Sequence, residues 1–160
     1  KITGVEFSYR QSLTFLPSWA RGFQVFFNGT KMNLSGSTTA DFTGFNPSSY
    51  AGGINFIRSR YFIKLTCTHQ GETRRGAVAV SAANGIPAGT FNYQDARTRW
   101  GISAQYSLSK RFAIYGAMTD LDGGFNPTTL RYAPGTPEFA KPQRYQELGS
   151  TITLGVKGQF

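Results

Sequence analysis

The sequence predicts an all-β protein: an antiparallel transmembrane β-barrel segment of about seven meandering strands, with short turns at one end and long loops at the other. Three observations predict it. Charged residues make up 16% of the 160 positions and aromatics 15%, with 19 Gly against 7 Pro, a mixture poor in helix formers and rich in side chains that suit a pleated surface. Segments of about ten residues alternate apolar with small or polar side chains, as a wall between lipid and a wet lumen requires. Short and long connections between these segments alternate, a rule that barrels follow and sandwiches do not.

The first hairpin is "GVEFSYRQSLTFLPSWARGFQVFFNGTKMNL". Val5, Phe7 and Tyr9 oppose Glu6, Ser8 and Arg10, Pro17 and Ser18 punctuate the turn, and "FQVFF" blurs the alternation on the return strand. In "GGINFIRSRYFIKLTCTHQG", Ile54 and Phe56 precede a basic "RSR" turn. Tyr61, Ile63, Leu65 and Cys67 then alternate with Lys64, Thr66 and Thr68, and Phe62 departs from the pattern. In the third hairpin Trp100, Ile102, Ala104, Tyr106 and Leu108 oppose Arg99, Gly101, Ser103, Gln105 and Ser107. "LSKR" turns the chain into a strand carrying Phe112, Ile114 and Met118. The last segment puts Leu148, Ile152, Leu154, Val156 and Phe160 on one parity against Thr151, Thr153, Gly155, Lys157 and Gln159. Between hairpins lie polar stretches, 35–49, 72–94 and 122–147, rich in Gly, Pro, Asn, Ser and Thr.

One domain is expected at this length, and its start on Lys1 suggests a fragment or processed piece. No apolar run reaches the roughly 18 residues of a transmembrane helix. One cysteine, Cys67, excludes an internal disulfide, and with the single His69 it falls short of a zinc ligand set. No metal, cofactor or catalytic residue is assigned: eight Asp and Glu, mostly in loops, offer no paired carboxylates or nucleophile beside a base. The net charge of +9 is spread singly along strands, apart from Arg74 and Arg75, so nucleic acid is not the expected partner.

"TITLGVKGQF" resembles the C-terminal strand of bacterial outer-membrane barrels, which finishes on an aromatic. "SYRQSLTFLPSWARGFQVFFNGT", the "SKRFAIYGAMTDL" hairpin and "PEFAKPQRYQELGSTITLGVKGQF" extend the resemblance over nearly the whole chain, to the C-terminal part of TonB-dependent outer-membrane receptors. Asp120 stands where that family usually has Asn. The resemblance implies that residues 1–160 are roughly the last third of a 22-stranded barrel in the bacterial outer membrane, with the plug domain and earlier strands absent. It implies a transporter importing a scarce nutrient such as a ferric siderophore. Its partners would be outer-membrane lipid, the barrel assembly machinery, an iron chelate or other small nutrient, and the TonB complex through the missing plug. A small complete outer-membrane barrel, porin or adhesin, and a soluble carbohydrate-binding β-sandwich are the alternatives.

In a barrel, Arg10, Lys64, Arg99, Gln105 and Lys157 fall on the lumen parity, where they would line a wet wall, meet the plug or guide an anionic chelate. Glu138, Arg144 and Glu147 are the loop residues that could touch a ligand. Trp19, Trp100 and Tyr106 suit an aromatic girdle, and Phe160 looks like the assembly signal. A seven-stranded sheet alone would leave two unpaired edges in lipid, so the segment is not expected to function by itself.

Overall fold

The computed structural model describes residues 1–36, 42–122 and 128–158; Phe160 lies outside them. The chain is all-β and antiparallel. Seven long strands follow the alternating segments: β1 Ile2–Ser12, β2 Phe23–Leu34, β3 Ser48–Ile57, β4 Tyr61–Gln70, β7 Arg97–Ser107, β8 Phe112–Thr119 and β11 Thr151–Gly158. They pair in the order β1-β2-β3-β4-β7-β8-β11, a pure meander. The sheet is open, with β1 and β11 as its edges.

Two long connections hold further strands where the sequence predicts polar loop. Short β5 Thr73–Ala77 and β6 Phe91–Gln94 come from the first, β9 Thr129–Tyr132 and β10 Pro142–Arg144 from the second. Together they form a separate four-stranded sheet, ordered β10-β9-β6-β5. The long connections and this sheet lie at one end of the seven strands, the loop end. Connections 13–22, 58–60 and 108–111 mark the other, the turn end. The first of these departs from the short turn expected around Pro17 and Ser18. It is a ten-residue excursion closed by Leu13 N–H to the Phe23 carbonyl at 2.9 Å and Ala20 N–H to the Pro17 carbonyl at 2.8 Å.

The registers assign every side chain to a face. One row runs Tyr9, Phe27, Gly52, Cys67, Trp100, and the next runs Val25, Ile54, Leu65, Ile102, Met118, Ile152. These rows are apolar across the middle of the sheet, while Gln11 on the edge strand and Lys31, Asn33 and His69 toward the loop end are polar members of the same face. The row between them on the opposite face runs Arg10, Phe26, Gly53, Thr66, Gly101, Thr119, Thr151, and that face is mainly polar. Seven large apolar side chains among the described residues break its polarity: Ile2, Phe26, Met32, Leu34, Ile57, Phe62 and Tyr115. Two of them cover glycines on the neighbouring strand. A Cβ at Gly53 would meet the Phe26 ring at 2.8 Å, and one at Gly155 would meet the Tyr115 ring at 2.5 Å.

The apolar face has no layer over it. Among the described residues the buried hydrophobics are Ala20, Ala113, Leu130 and Ala133, and no large side chain is fully buried. Leu154 is 80% exposed and Val5 74%. Along β7 the polar-face residues Arg97, Arg99, Gly101, Ser103 and Gln105 are half-buried, whereas Thr98, Trp100, Ile102 and Ala104 are exposed. Side chains on a concave surface converge and shield one another while those on a convex one splay apart, so this inversion fits a sheet curved around its polar side. The accessible surface, 11015 Å², exceeds the roughly 7,900 Å² of a compact monomer of this mass.

The turn end is staggered in one direction. β1 and β2 end on the pair Ser12 and Gln24, but Gln24 also faces Asn55, two residues short of the end of β3 at Ile57. Ile57 pairs with Phe62, and Phe62 faces Gln105, again two residues short of the end of β7 at Ser107. A shift of two residues per pair of strands, at about 3.3 Å per residue and 4.8 Å between strands, tilts the strands by about 35° from the sheet's long direction. Closed barrels require a tilt of this size.

Candidate functional site

Arg10, Lys64, Arg99, Gln105 and Lys157 all project from the polar face, on β1, β4, β7 and β11. The period of 2 explains why five residues on four strands converge on one side. The Lys64 ammonium lies 5.4 Å from the centre of the Phe26 ring, where the ring's negative face attracts it. Arg97, which sequence reasoning passed over, shares the parity of Arg99 and donates to Gln70 Oε1 from Nε at 3.1 Å and from its terminal nitrogen at 2.7 Å. Its strand position was the available signal. Among the described residues Glu6 is the single carboxylate within the strands of this face.

Asp120 makes a side-chain contact that its position in the sequence did not signal. It follows β8 directly, is 3% exposed and takes a positive φ of 60°. Arg99 grips it with both prongs, Nε to Oδ1 at 2.7 Å and the terminal nitrogen to Oδ2 at 2.9 Å. This planar fork on a carboxylate is the strong form of an ion pair, and it holds the Asp120 carboxyl below its ordinary range against the opposing effect of burial. The Ser150 hydroxyl donates to the Asp120 carbonyl at 2.6 Å, tying the start of β11's approach to the end of β8. Two cavities flank the guanidinium. One of about 330 Å³ runs between Asn46, Tyr50, His69 and Arg97, and one of about 210 Å³ lies between Thr66, Trp100 and Asp120.

The four-stranded sheet is held by rings and guanidinium groups. Tyr93 and Tyr132 stack with centroids 4.0 Å apart, and the Arg74 guanidinium lies 4.0 Å from the centre of the Phe91 ring. The Lys141 ammonium lies 4.7 Å from the Tyr132 ring. Arg131 donates to Asn92 at 3.0 Å. The Tyr132 hydroxyl donates to Glu72, and burial, with that carboxylate beside it, pushes the phenol well above its usual range.

Of the loop candidates, Glu138 pairs with Lys141 three residues on. Arg144 is exposed on β10 and Glu147 is exposed between β10 and β11, so the structure does not gather the three into one site. Trp100 stands on the apolar face near the loop end. Tyr106 stands near the turn end, 4.9 Å from Tyr61, and Trp19 projects from connection 13–22 at 73% exposure. Sequence reasoning missed Tyr61, Phe23 and Phe56 as companions, the last two at 4.7 Å. Cys67 faces Trp100 on the apolar side, and His69 shares a hydrogen bond of 2.9 Å between Nδ1 and the Thr98 hydroxyl. Among the described residues no three His, Cys, Asp or Glu side chains gather as a metal site. No helix is long and apolar enough to cross a membrane, which leaves strand-spanning open. No protein-family model, curated protein or solved structure matches the chain.

Proposed function

We propose that the chain is the C-terminal wall of a TonB-dependent outer-membrane transporter that imports a scarce nutrient of the ferric siderophore kind. The observation that carries the membrane part is the uncovered sheet: a face apolar across its middle rows with no layer over it, more exposed along β7 than the polar residues behind it, on strands staggered as in a tilted barrel wall. In water such a face would need a second layer; in a bilayer, lipid is that layer. The transporter part rests on the resemblance of the closing strand and hairpins to that receptor family. On this reading β1 and β11 pair with the remainder of the barrel, the polar face lines the lumen, and the four-stranded sheet forms part of the outer, ligand-capturing surface. Phe160 would mark the last strand for assembly.

The test uses the full-length protein. It is expected in outer-membrane fractions, migrating as a compact species that shifts on boiling, and deleting its gene should abolish uptake of one iron chelate or comparable nutrient. Recovery of the native protein in the soluble fraction would overturn the membrane reading. Outer-membrane residence without a plug-like segment upstream would favour a small porin or adhesin.

A further inference from the structure

The two ends of the sheet differ in charge. Every carboxylate among the described residues belongs to a long connection, except Glu6 inside β1. The three short connections hold Arg21, Arg58, Arg60, Lys110 and Arg111, five cations, all exposed. The turn end therefore presents cations to its surroundings with no carboxylate in any of its connections.

Apolar side chains stand among these cations. Phe15 and Trp19 are 74% and 73% exposed in the first connection, and Leu108 is 55% exposed in the third. Arg58 donates to the Ser18 carbonyl, bridging the first two connections, and its guanidinium lies 5.8 Å from the centre of the Phe56 ring on the apolar face. The cation thus lies at the boundary of that face rather than over the polar one. Arg21 Nε donates to the Leu16 carbonyl at 3.2 Å, which fixes its stem within the same excursion. Beyond them, Lys110 and Arg111 share a notch of about 150 Å³ with Lys157 and the hydroxyl-bearing Ser107 and Ser109.

We infer that the turn end is a docking rim for anionic phospholipid headgroups in the leaflet that meets it. Exposed rings at the edge of an apolar face insert at the level where acyl chains give way to headgroups. Basic side chains beside them are attracted to a negatively charged lipid surface, by a factor of roughly fivefold for each cation. Charge complementarity selects the occupant: the rim has donors for phosphate oxygens, and no carboxylate in its connections to repel them. The inference rests on the membrane reading of the apolar face.

The experiment reconstitutes the full-length protein into vesicles of phosphatidylcholine alone and into vesicles with about one third phosphatidylglycerol, and measures the thermal midpoint of the folded, boiling-sensitive species. The expected result is a higher midpoint in the anionic vesicles, lowered toward the neutral value by salt. Combining R58Q, R60Q, K110Q and R111Q should abolish that difference, while combining R74Q, R75Q and R144Q at the loop end should preserve it. Inorganic phosphate at millimolar concentration should not reproduce the effect in neutral vesicles. Equal midpoints in both vesicles, equal losses in both variants, or full replacement by free phosphate would each overturn the rim. Failure to insert into either vesicle would instead overturn the membrane reading beneath it.

Discussion

Asp120 shows how one residue can join elements that are distant in sequence. Its carboxylate neutralises Arg99 on β7 while its carbonyl accepts from Ser150 ahead of β11. Replacing it with Ala should cost about 1–3 kcal/mol, less than a fully buried pair because the Arg99 side chain is 41% exposed. Asn tolerates the positive φ and keeps one acceptor, so Asp120→Asn should cost less. Denaturant unfolding in detergent would measure both. The pH dependence follows from a folded carboxyl pKa that lies below the unfolded value. The pair's contribution is complete above the unfolded pKa near 3.9 and is lost as pH falls through the folded one. The stability difference between the native protein and the Asn variant should therefore hold from pH 7 to 5 and shrink below about pH 4. A constant difference down to pH 2 would assign the effect to backbone geometry instead.

At the level of elements, the seven long strands were legible because period-2 alternation is local: Trp100 through Tyr106 can be sorted by parity without knowing any neighbour. Phe62 showed as a departure from the alternation, but the reason for a ring on the polar face can lie on another strand, as Phe26 and Tyr115 show against the glycines at 53 and 155. The four-stranded sheet was invisible for a related reason. Strands of three to five residues amid Gly and Pro carry too few alternations to register, and Phe91 acquires its role only opposite Tyr132, about forty positions away. Asp120 belongs with them, since its partner is set by register and not by spacing. The Tyr93 and Tyr132 stack should be what holds the small sheet together. If the chain is a barrel wall as proposed, changing Tyr132 to Ala should speed protease cleavage in 72–147 on intact cells severalfold and leave boiling-sensitive mobility unchanged. Cleavage at the native rate would show that backbone pairing alone suffices.

For the whole molecule, the two faces of β11 offer a direct comparison. Leu154 and Thr153 are adjacent and both exposed, yet project to opposite sides. If lipid covers the apolar face, Leu154→Lys should cost about 2–4 kcal/mol in a bilayer and deplete the folded species in the outer membrane. Thr153→Lys should be nearly neutral. Equal effects, measured by heat-modifiable migration, would remove the distinction between the faces. The same molecule-wide view gives the pairing of β6 with β9 a mechanical meaning. Among the described residues, 91–94 and 129–132 share a ladder, so the two connections cannot swing as separate ropes while it is paired. Whatever lifts one of them must lift both, or must first break the four paired positions that join β6 to β9.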